Sequence, residues 1–467
     1  MLLPARAVFR ISIAGALMLL CCHSLLAQTV TAVEKYQAIT SQIVANAMRE
    51  GQAFALLTEL TEVGPRFSGS PQAAAAVELT RQMMERLEFE NVRLQTVVVP
   101  RWIRGPVEEA AIINSASMGT TPLTVCALGS SVATPEMGLT AEVVEVKSFD
   151  ELKALGKKVA GKIVFFNRPL DPTKLNTFEA YGGAVDQRGR GAIEAAKAGG
   201  VAALVRSMTT ALDDVPHAGN MGYEAGVPQI PGAAISTRGA DLLSRLIAHE
   251  KKVTVRLKLT CQTLPDVPSA NVMGELRGLE KPDEIIVLGG HLDSWDKGTG
   301  AHDDAAGCVQ AIEAIRLLKQ LGFKPKRTIR AVMFMNEENG LRGGREYARE
   351  AAEMKVKHVA AIESDRGGFA PRGFSIDADS ITAQKIFSWQ QAFAVIGADR
   401  FTRGGSGADI SPLVQQGVPG LGLVPESQRY FDYHHSDNDT IDKVNARELE
   451  LGAAAMAIMA YFLSEEL

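Results

Sequence analysis

Histidine and carboxylate residues recur in five short motifs in the second half of the chain. The motifs are GGHLD at 289–293, AHDD at 301–304, NEENG at 336–340, ESD at 363–365 and YHHSDNDT at 433–440. Imidazole nitrogens and carboxylate oxygens are the ligands that zinc and related divalent ions prefer. Two neighbouring ions would in addition need one carboxylate that contacts both. The motifs together therefore indicate a divalent metal site.

The adjacent glutamates Glu337 and Glu338 suggest a division of labour at such a site. One carboxylate can bind metal while the other stays free to accept a proton from a water whose pKa the metal has lowered. The same carboxylate can then pass that proton to a leaving amine. This is the chemistry of a metal-dependent hydrolase.

Alternating strands and helices from residue 269 onward predict how the motifs come together. Strands are predicted at 285–288, 328–335 and 359–362, and helices at 305–321 and 342–352. This alternation predicts an α/β fold in which a mostly parallel mixed sheet is sandwiched between helices. Ligands of such sheets bind beyond the carboxyl ends of the strands, which is where three of the motifs fall.

Each motif alone has an ordinary structural explanation. The Asp pair at 303–304 is also a good cap for the helix that follows, and the Glu pair at 337–338 is also typical of a solvated face. The His pair at 434–435 is compatible with a surface position. The occurrence of all of them together, most at successive strand ends, is harder to explain in that way and favours the metal site.

The first half of the chain has a different predicted secondary-structure pattern from the second. Residues 33–87 are predicted to be helical on both sides of a GPRFSGS loop at 64–70, and residues 92–99 are predicted to form a strand. Residues 122–259 contain short strands and helices punctuated by Gly and Pro, which is typical of a separate α/β module. No cluster of catalytic residue types occurs in that module, and its His217 is expected to be a surface or packing residue.

The N-terminal residues 1–27 have the order of a secretory signal peptide. Arg6 and Arg10 precede an apolar run at 11–20, and cleavage is predicted after Ala27. An uncleaved anchor is the alternative, although the apolar run is short for a bilayer span. We therefore expect an exported protein, periplasmic or secreted, with no stable membrane span in its mature chain.

Composition excludes several other classes of protein. The formal charge is −5 and no Lys/Arg-rich block occurs, which argues against a nucleic-acid partner. Hydrophobic residues at 46% and charged residues at 22% are typical of a soluble globular protein rather than a disordered one. Cys126, Cys261 and Cys308 are expected to be buried thiols rather than a disulfide framework.

The motifs resemble those of the co-catalytic di-zinc exopeptidases, the clan of aminopeptidases and glutamate carboxypeptidases. The segments that carry the resemblance are GPRFSGS at 64–70, GHLDSWD at 290–296, DD at 303–304, PKRT at 325–328, ESD at 363–365 and HHS at 434–436. The resemblance covers essentially the whole mature chain. It implies the zinc exopeptidase fold, with a catalytic domain at 28–121 and 260–467 and an inserted protease-associated domain at 122–259.

The resemblance also implies two zinc ions per chain and a ligand set. Asp303 would bridge the ions, His291 and Asp365 would complete one site, and Glu338 and His435 would complete the other. The implied activity is hydrolysis of dipeptides or short peptides by a hydroxide that bridges the two zinc ions.

Further roles follow by the same resemblance. Glu337 matches the general base, and Asp293 matches the residue that orients the first histidine ligand. Asp304 is expected to shape the turn behind the bridging ligand, and His302 is expected to be a surface side chain. Asp409 is a candidate contact for the amine of a substrate.

Two alternative functions differ from the peptidase in the metal ligands that they require. A glutaminyl cyclase shares the fold but works with one zinc, and a binding module on the same scaffold would have lost metal ligands. All five ligand positions and the base match, which favours the peptidase. The sequence leaves open whether the enzyme is an aminopeptidase, a carboxypeptidase or a strict dipeptidase, and whether zinc, manganese or cobalt is native. Only the resemblance suggests a homodimer.

Overall fold

Two eight-stranded sheets organise the computed structural model, which describes residues 36–467. The predicted signal peptide lies outside the described residues. The helices are α1 (36–50), α2 (Ala53–Glu62), α3 (Pro71–Arg86), α4 (Phe149–Leu155), α5 (Thr177–Gly182), α6 (Asp186–Lys197), α7 (Thr237–His249), α8 (Ala306–Gln320), α9 (Arg342–Glu353), α10 (Ser380–Phe387), α11 (Ser411–Gln415), α12 (Tyr430–Tyr433) and α13 (Ala446–Glu466).

The strands divide between the two sheets. They are β1 (Glu90–Ile103), β2 (Glu108–Ser115), β3 (Gly119–Leu123), β4 (Val125–Ala127), β5 (Leu139–Val146), β6 (Ile163–Phe166), β7 (Ala202–Arg206), β8 (Gly232–Ile235), β9 (Thr254–Leu259), β10 (Gln262–Leu276), β11 (Lys281–His291), β12 (Arg327–Phe334), β13 (Lys357–Glu363), β14 (Pro371–Asp377), β15 (Arg400–Arg403) and β16 (Gly420–Pro425).

The larger lobe is a mixed sheet between layers of helices, so the predicted fold class is confirmed. Its strand order is β1-β10-β12-β11-β13-β16-β14-β15, and the four central strands β12, β11, β13 and β16 run parallel. Helices α8 and α13 cover one face, and α9 and α11 cover the other. Residues 285–288 of β11 are all buried, as expected for a parallel strand that is covered on both faces.

The smaller lobe is inserted between two neighbouring strands of the larger sheet. β1 and β10 pair antiparallel, and Ile103 lies opposite Gln262. The chain between these residues forms the second sheet, in the order β3-β2-β9-β5-β6-β7-β8-β4. Residue 122, the boundary expected for an inserted protease-associated domain, follows most of β2 and β3, which belong to the second sheet because β2 and β3 pair with each other and β2 with β9. Their alternating pattern does not distinguish them locally from strands of the catalytic sheet.

Arg104 fixes the point where the chain enters the smaller lobe. Its guanidinium binds both carboxylate oxygens of Asp296 in the larger lobe, at 2.6 and 2.8 Å, and Glu108 in the smaller lobe at 2.8 Å. A bidentate pair of this kind restrains orientation as well as distance. The two lobes are therefore joined by a buried ionic contact as well as by the chain.

The state of the three cysteines tests one further expectation from the sequence. The three cysteines at 126, 261 and 308 are buried and free, as predicted. Within residues 36–467, no helix combines the length and apolarity that crossing a bilayer requires.

The first turn of helix α8 packs very closely against the loop that follows β13. A Cβ atom added to Gly307 would lie 1.8 Å from the carbonyl oxygen of Ser364 and 2.5 Å from the carboxylate of Asp304. Backbone atoms cannot move aside cheaply at this distance. Glycine at this position is therefore a condition for packing α8 against the edge of the sheet.

Replacing this glycine tests the packing. We expect Gly307→Ala to lower the free energy of unfolding by about 1–3 kcal/mol or more, because the added methyl group overpacks the contact. Gly189→Ala is the matched control, since Gly189 lies inside α6 with open space around its Cα. It should be neutral or stabilising by up to about 1 kcal/mol. Thermal unfolding of both variants measures the difference, and equal melting temperatures would contradict the packing argument.

Candidate metal centre

The candidate site residues meet at the carboxyl edge of the central parallel strands. β11 ends at His291, β12 leads into Glu337 and Glu338, and β13 leads into Asp365. The chain beyond β16 returns to the same edge with His435. The order β12-β11-β13-β16 therefore brings together side chains that are up to 144 residues apart in sequence, counting from 291 to 435.

Asp303 lies at the centre of this cluster, in the turn at Ala301–Ala305 just before α8, where its own backbone is not helical. Its Oδ1 lies 3.2 Å from Nε2 of His291, and its Oδ2 lies 3.1 Å from Nε2 of His435. The two oxygens of one carboxylate thus face two different histidines. A carboxylate in this position is suited to contact two cations at once.

A second carboxylate accompanies each histidine. Nε2 of His291 lies 3.5 Å from Oδ1 of Asp365, and Nε2 of His435 lies 3.0 Å from Oε2 of Glu338. Two sets of nitrogen and oxygen donors therefore share Asp303. The structure thus brings all five candidate ligands into one cluster.

Distance distinguishes His435 from its neighbour His434. Nε2 of His434 lies 3.7 Å from Oδ2 of Asp303, against 3.1 Å for His435. The two imidazoles stack with ring centroids 3.5 Å apart and 19° between the ring planes. Burial, with a contribution from the charge of His435, lowers the pKa of His434 well below its usual value. Of the two histidines, His435 therefore lies nearer to Asp303.

Asp293 was expected to orient His291, and its backbone carbonyl rather than its carboxylate makes that contact. Nδ1 of His291 donates a hydrogen bond to the backbone carbonyl of Asp293 at 2.9 Å, whereas the carboxylate lies 3.9 Å from that nitrogen. The carboxylate instead accepts hydrogen bonds from the amides of Asn336 and Glu337, at 2.7 and 3.0 Å, and from the Ser68 hydroxyl. The side chain of Asp293 therefore positions the candidate base, and its backbone orients the histidine.

Two more buried carboxylates hold the backbone around Asp303. Asp304 accepts hydrogen bonds from the amides of His291 and Gly307, each at 3.0 Å, and follows Asp303 through a cis peptide bond. Asp439 accepts the amide of Asp303 at 3.0 Å. The part played by Asp304 agrees with the expected turn. Sequence patterns do not reveal the part played by Asp439, because a bond between positions 136 apart leaves no local signal.

Arg66 is fully buried and fastens the loop at 64–70 to the metal centre. Its Nε donates to the carbonyl of Leu292 at 2.8 Å, and Nη2 donates to the carbonyl of Gly300 at 3.0 Å. Its backbone amide donates to the hydroxyl of Ser294 at 3.0 Å. This guanidinium therefore fixes both ends of the loop that separates β11 from the turn at Ala301–Ala305.

Burial is the largest influence on the ionisable groups of the cluster. It raises the pKa of Glu337 well above its usual value and that of Glu338 to about 7. Burial opposes charge on His435, but Glu338 and Asp303 together raise its pKa to about 9. Burial also opposes charge on Asp303, yet the neighbouring imidazoles of His291 and His435 hold its pKa well below its usual value.

The unsatisfied atoms of the cluster fit divalent cations. Among the residues that the structure describes, Oδ2 of Asp303 and Oε1 of Glu338 are buried without a hydrogen-bond partner. Donor atoms of His291, Asp303 and Asp365 lie within 4.8 Å of one another, and Asp303 forms a second such group with the histidines at 434–435. Nitrogen and oxygen donors at this spacing suit zinc and related ions.

His302 differs from its expected surface position. Its side chain is fully buried, and its ring stacks on Phe369 with centroids 4.2 Å apart and on Tyr433 with centroids 5.4 Å apart. Burial lowers the pKa of His302 to about 4. The surface prediction is wrong because two aromatic rings, distant in sequence, cover the turn. His302 is therefore a neutral packing residue behind Asp303.

Asp409 is not among the residues that line the cavity over the cluster. It is buried, and burial together with the charges of Glu363 and Glu337 raises its pKa well above its usual value. Neither of its carboxylate oxygens has a hydrogen-bond partner within residues 36–467. The expectation that Asp409 contacts a substrate amine is therefore not supported by its position.

A cavity of about 260 Å³ opens over the cluster, between the two lobes. The smaller lobe contributes four lining residues, which are Phe178, Tyr181, Arg188 and Asn220. Nη1 of Arg188 lies 3.5 Å from Nδ1 of His435, and its buried Nε has no partner among the described residues. The cavity therefore has acidic residues on one wall and a guanidinium with aromatic rings on the other.

The smaller lobe also holds the segment that carries the histidine pair. Nδ1 of the buried His217 donates to the carbonyl of His434 at 2.7 Å, and the amide of Ala218 donates to the carbonyl of His435 at 2.8 Å. His217 is thus a packing residue, as expected. The position of His435 consequently depends on both lobes.

Comparisons with known proteins agree with this geometry. The profile of peptidase family M28 matches residues 271–460. Carboxypeptidase Q of Bos taurus is 36% identical over 420 residues, which cover 89% of this chain and 85% of that protein. The crystal structure of a peptidase M28 precursor from Shewanella amazonensis is 35% identical, with a TM-score of 0.88 over 92% of this chain and 97% of that chain.

A more distant structure shares the fold alone. BSAP, a zinc aminopeptidase from Bacillus subtilis, has a TM-score of 0.64 at 20% identity, over 88% of this chain and 94% of that chain. The identity to carboxypeptidase Q extends through both lobes, well beyond the residues that the family profile matches. The chain therefore belongs to peptidase family M28 and is a metallopeptidase.

Proposed function

We propose that this protein is an exopeptidase that hydrolyses dipeptides or short peptides, with two zinc ions around Asp303 and with Glu337 as general base. One observation carries the proposal: the two oxygens of Asp303 face two separate histidine–carboxylate pairs, at 3.2 and 3.1 Å. The relatives named carboxypeptidase Q, at 34–36% identity, support an activity at the end of a peptide.

The proposed ligands follow from that arrangement. His291 and Asp365 would hold one ion, Glu338 and His435 would hold the other, and Asp303 would serve both. The ions supply Lewis acidity, which makes water a nucleophile near neutral pH and polarises a peptide carbonyl. Carboxylates that outnumber the histidines beside them support a site for cations.

Glu337 is the proposed proton carrier. Its backbone amide is fixed by Asp293, and its side chain lines the cavity beside His291 and Asp365. In this role its carboxylate accepts a proton from the attacking water and delivers it to the nitrogen of the leaving amine. A carboxylate with a raised pKa is a stronger base than an exposed glutamate, which suits this task.

The shape of the cavity supports a short substrate. A volume of about 260 Å³ accommodates a peptide of very few residues, and Phe178, Tyr181 and Phe431 bound it with apolar surface. Arg188 is a cationic group for a substrate carboxylate, because its side chain lines the cavity. These features favour a small peptide with a free terminus over a long chain.

The smaller lobe is proposed to be a protease-associated domain that completes the second metal site. His217 and Ala218 hold the backbone of the histidine pair, so this lobe acts as a positioning element. Export is a further part of the proposal, on the signal-peptide pattern of residues 1–27. Assembly as a homodimer is another, on the resemblance alone.

The role of Glu337 is tested by removing its charge. We expect Glu337→Gln to retain both metal ions and to lower kcat by about 10²–10⁴-fold, since the amide keeps the shape but cannot carry the proton. Metal content and dipeptide hydrolysis should be measured on the same sample. Glu346→Gln, at a half-buried helical position outside the cavity, is the control. Near-normal turnover in Glu337→Gln would refute the assignment of the base.

The positioning role of the smaller lobe is tested at His217. We expect His217→Ala to weaken binding of one zinc ion by about 10–100-fold and to leave the other unchanged, because only the segment with His435 loses its support. Competition with a chromogenic chelator resolves the two affinities. His249→Ala, at an exposed position of the same lobe, should change neither affinity. Equal weakening of both ions, or of none, would contradict the prediction.

A further inference from the structure

The loop at 336–341, between β12 and α9, carries both members of the glutamate pair. Its backbone is in the left-handed region at both ends, with φ of 73° at Asn336 and 55° at Leu341. Asparagine tolerates this region, but a bulky residue such as leucine rarely adopts it. Such a conformation persists only where surrounding contacts hold it. The positions of Glu337 and Glu338 therefore depend on what fastens this loop.

One buried side chain bonds the chain on both sides of the loop. Oδ1 of Asn271, on β10, accepts a hydrogen bond from the amide of Met335 at 2.8 Å, and its Nδ2 donates to the carbonyl of Gly343 at 3.0 Å. The amide of Gly343 also donates to the carbonyl of Met335 at 2.9 Å. Asn271 thus closes the loop at its base and reinforces the single backbone bond between these two residues.

Asn271 is itself held rigidly. It is fully buried, and its Nδ2 also donates to Oε1 of Gln95 at 2.8 Å. Gln95 lies directly opposite Asn271 on β1, and its Nε2 donates to Glu350 of α9 at 2.6 Å. The amide group of Asn271 therefore has a fixed orientation, which lets it fix the loop in turn.

The contact between Asn271 and the far end of the loop is very close. A Cβ atom added to Gly343 would lie 2.5 Å from Oδ1 of Asn271 and 2.4 Å from the carbonyl oxygen of Met335. Glycine at 343 is therefore what allows the helix to start against the asparagine. Packing and hydrogen bonding both close the loop at the same point.

Asn271 and Asp293 hold different parts of the chain. Asp293 accepts the amides of Asn336 and Glu337, which lie at the start of the loop. The bond from Asn271 to the Gly343 carbonyl lies beyond the other end of the loop. The part of the loop that follows Glu338 therefore depends on Asn271.

We propose that Asn271 is a positioning residue for the reaction, because it closes the loop at 336–341 and so sets where the carboxylates of Glu337 and Glu338 lie. This inference rests on the proposed peptidase function. Asn271 bonds the backbone on either side of the loop, so it acts on both carboxylates through the chain that carries them.

Replacing Asn271 in the full-length protein tests the proposal. With zinc in excess, we expect Asn271→Ala to lower kcat for dipeptide hydrolysis by about 10–100-fold and to change KM little. The zinc ion proposed to bind Glu338 should bind about 10–100-fold more weakly, and the other ion should bind as in the parent. Amide hydrogen exchange of residues 335–343 should be faster in the variant, including in metal-free protein.

Thr328→Ala is the matched control for a general loss of stability. Thr328 is a buried polar residue at the opposite end of β12, where it donates to the carbonyl of Pro282 at 2.7 Å and accepts the amide of Gly278 at 3.1 Å. We expect this variant to melt at a lower temperature but to keep the parent kcat, zinc affinities and exchange at 335–343. Asn271→Ser is a milder variant that keeps a polar group, and it replaces Asn271→Ala if that protein does not fold.

A double variant separates an effect through the base from a general one. If Asn271 acts by placing Glu337, adding Asn271→Ala to Glu337→Gln should lower the residual kcat much less than it lowers the parent kcat. Equal losses in the two backgrounds would overturn the proposal. Unchanged exchange at 335–343, or the same weakening of both zinc ions, would also overturn it.

The measurements distinguish this inference from the proposed function. If the parent protein hydrolyses dipeptides and Asn271→Ala is as active as Thr328→Ala, only the role of Asn271 fails. If the parent does not hydrolyse peptides but Asn271→Ala still loosens the loop and weakens one zinc ion, the peptidase function fails and the structural role of Asn271 stands.

Discussion

The need to bury several carboxylates in one place constrains the rest of this structure. An ionised carboxylate away from water is costly unless hydrogen bonds or cations compensate it. Backbone amides compensate Asp304 and Asp439, and histidines partly compensate Asp303 and Glu338. Oxygens of Asp303 and Glu338 remain without a hydrogen-bond partner among the described residues, and metal ions are the natural complement.

The fold supplies the fixed positions that this cluster requires. Parallel strands present their carboxyl ends to one edge, and the buried Arg66 clamps the loop between β11 and the turn that carries Asp303. Gly307 lets helix α8 begin directly against that edge. The inserted lobe then closes the open side and supports the backbone of His435. Each of these elements holds the backbone of candidate ligands that lie on other segments of the chain.

The sequence was informative where local pattern determines the outcome and uninformative where distant contacts do. Buried strands and strand-end motifs predicted the central sheet and the residues that gather at its edge, because parallel strands share an edge. The burial of His302 under Phe369, and the bonds from the Asp293 carboxylate to the Asn336–Glu337 amides, depend on contacts between distant segments. The early start of the inserted lobe depends on pairing of β2 with β9, which composition does not record.

Metal stoichiometry tests the central claim most directly. Zinc should be counted by mass spectrometry on the purified protein and on its Asp303→Ala variant, with dipeptide hydrolysis assayed before chelation, after chelation and after zinc is restored. The account predicts two zinc ions per chain, activity that follows the metal, and loss of both ions when the shared carboxylate is removed. One zinc per chain without peptide hydrolysis would contradict it and favour a cyclase, and two ions retained by Asp303→Ala would contradict the bridging role.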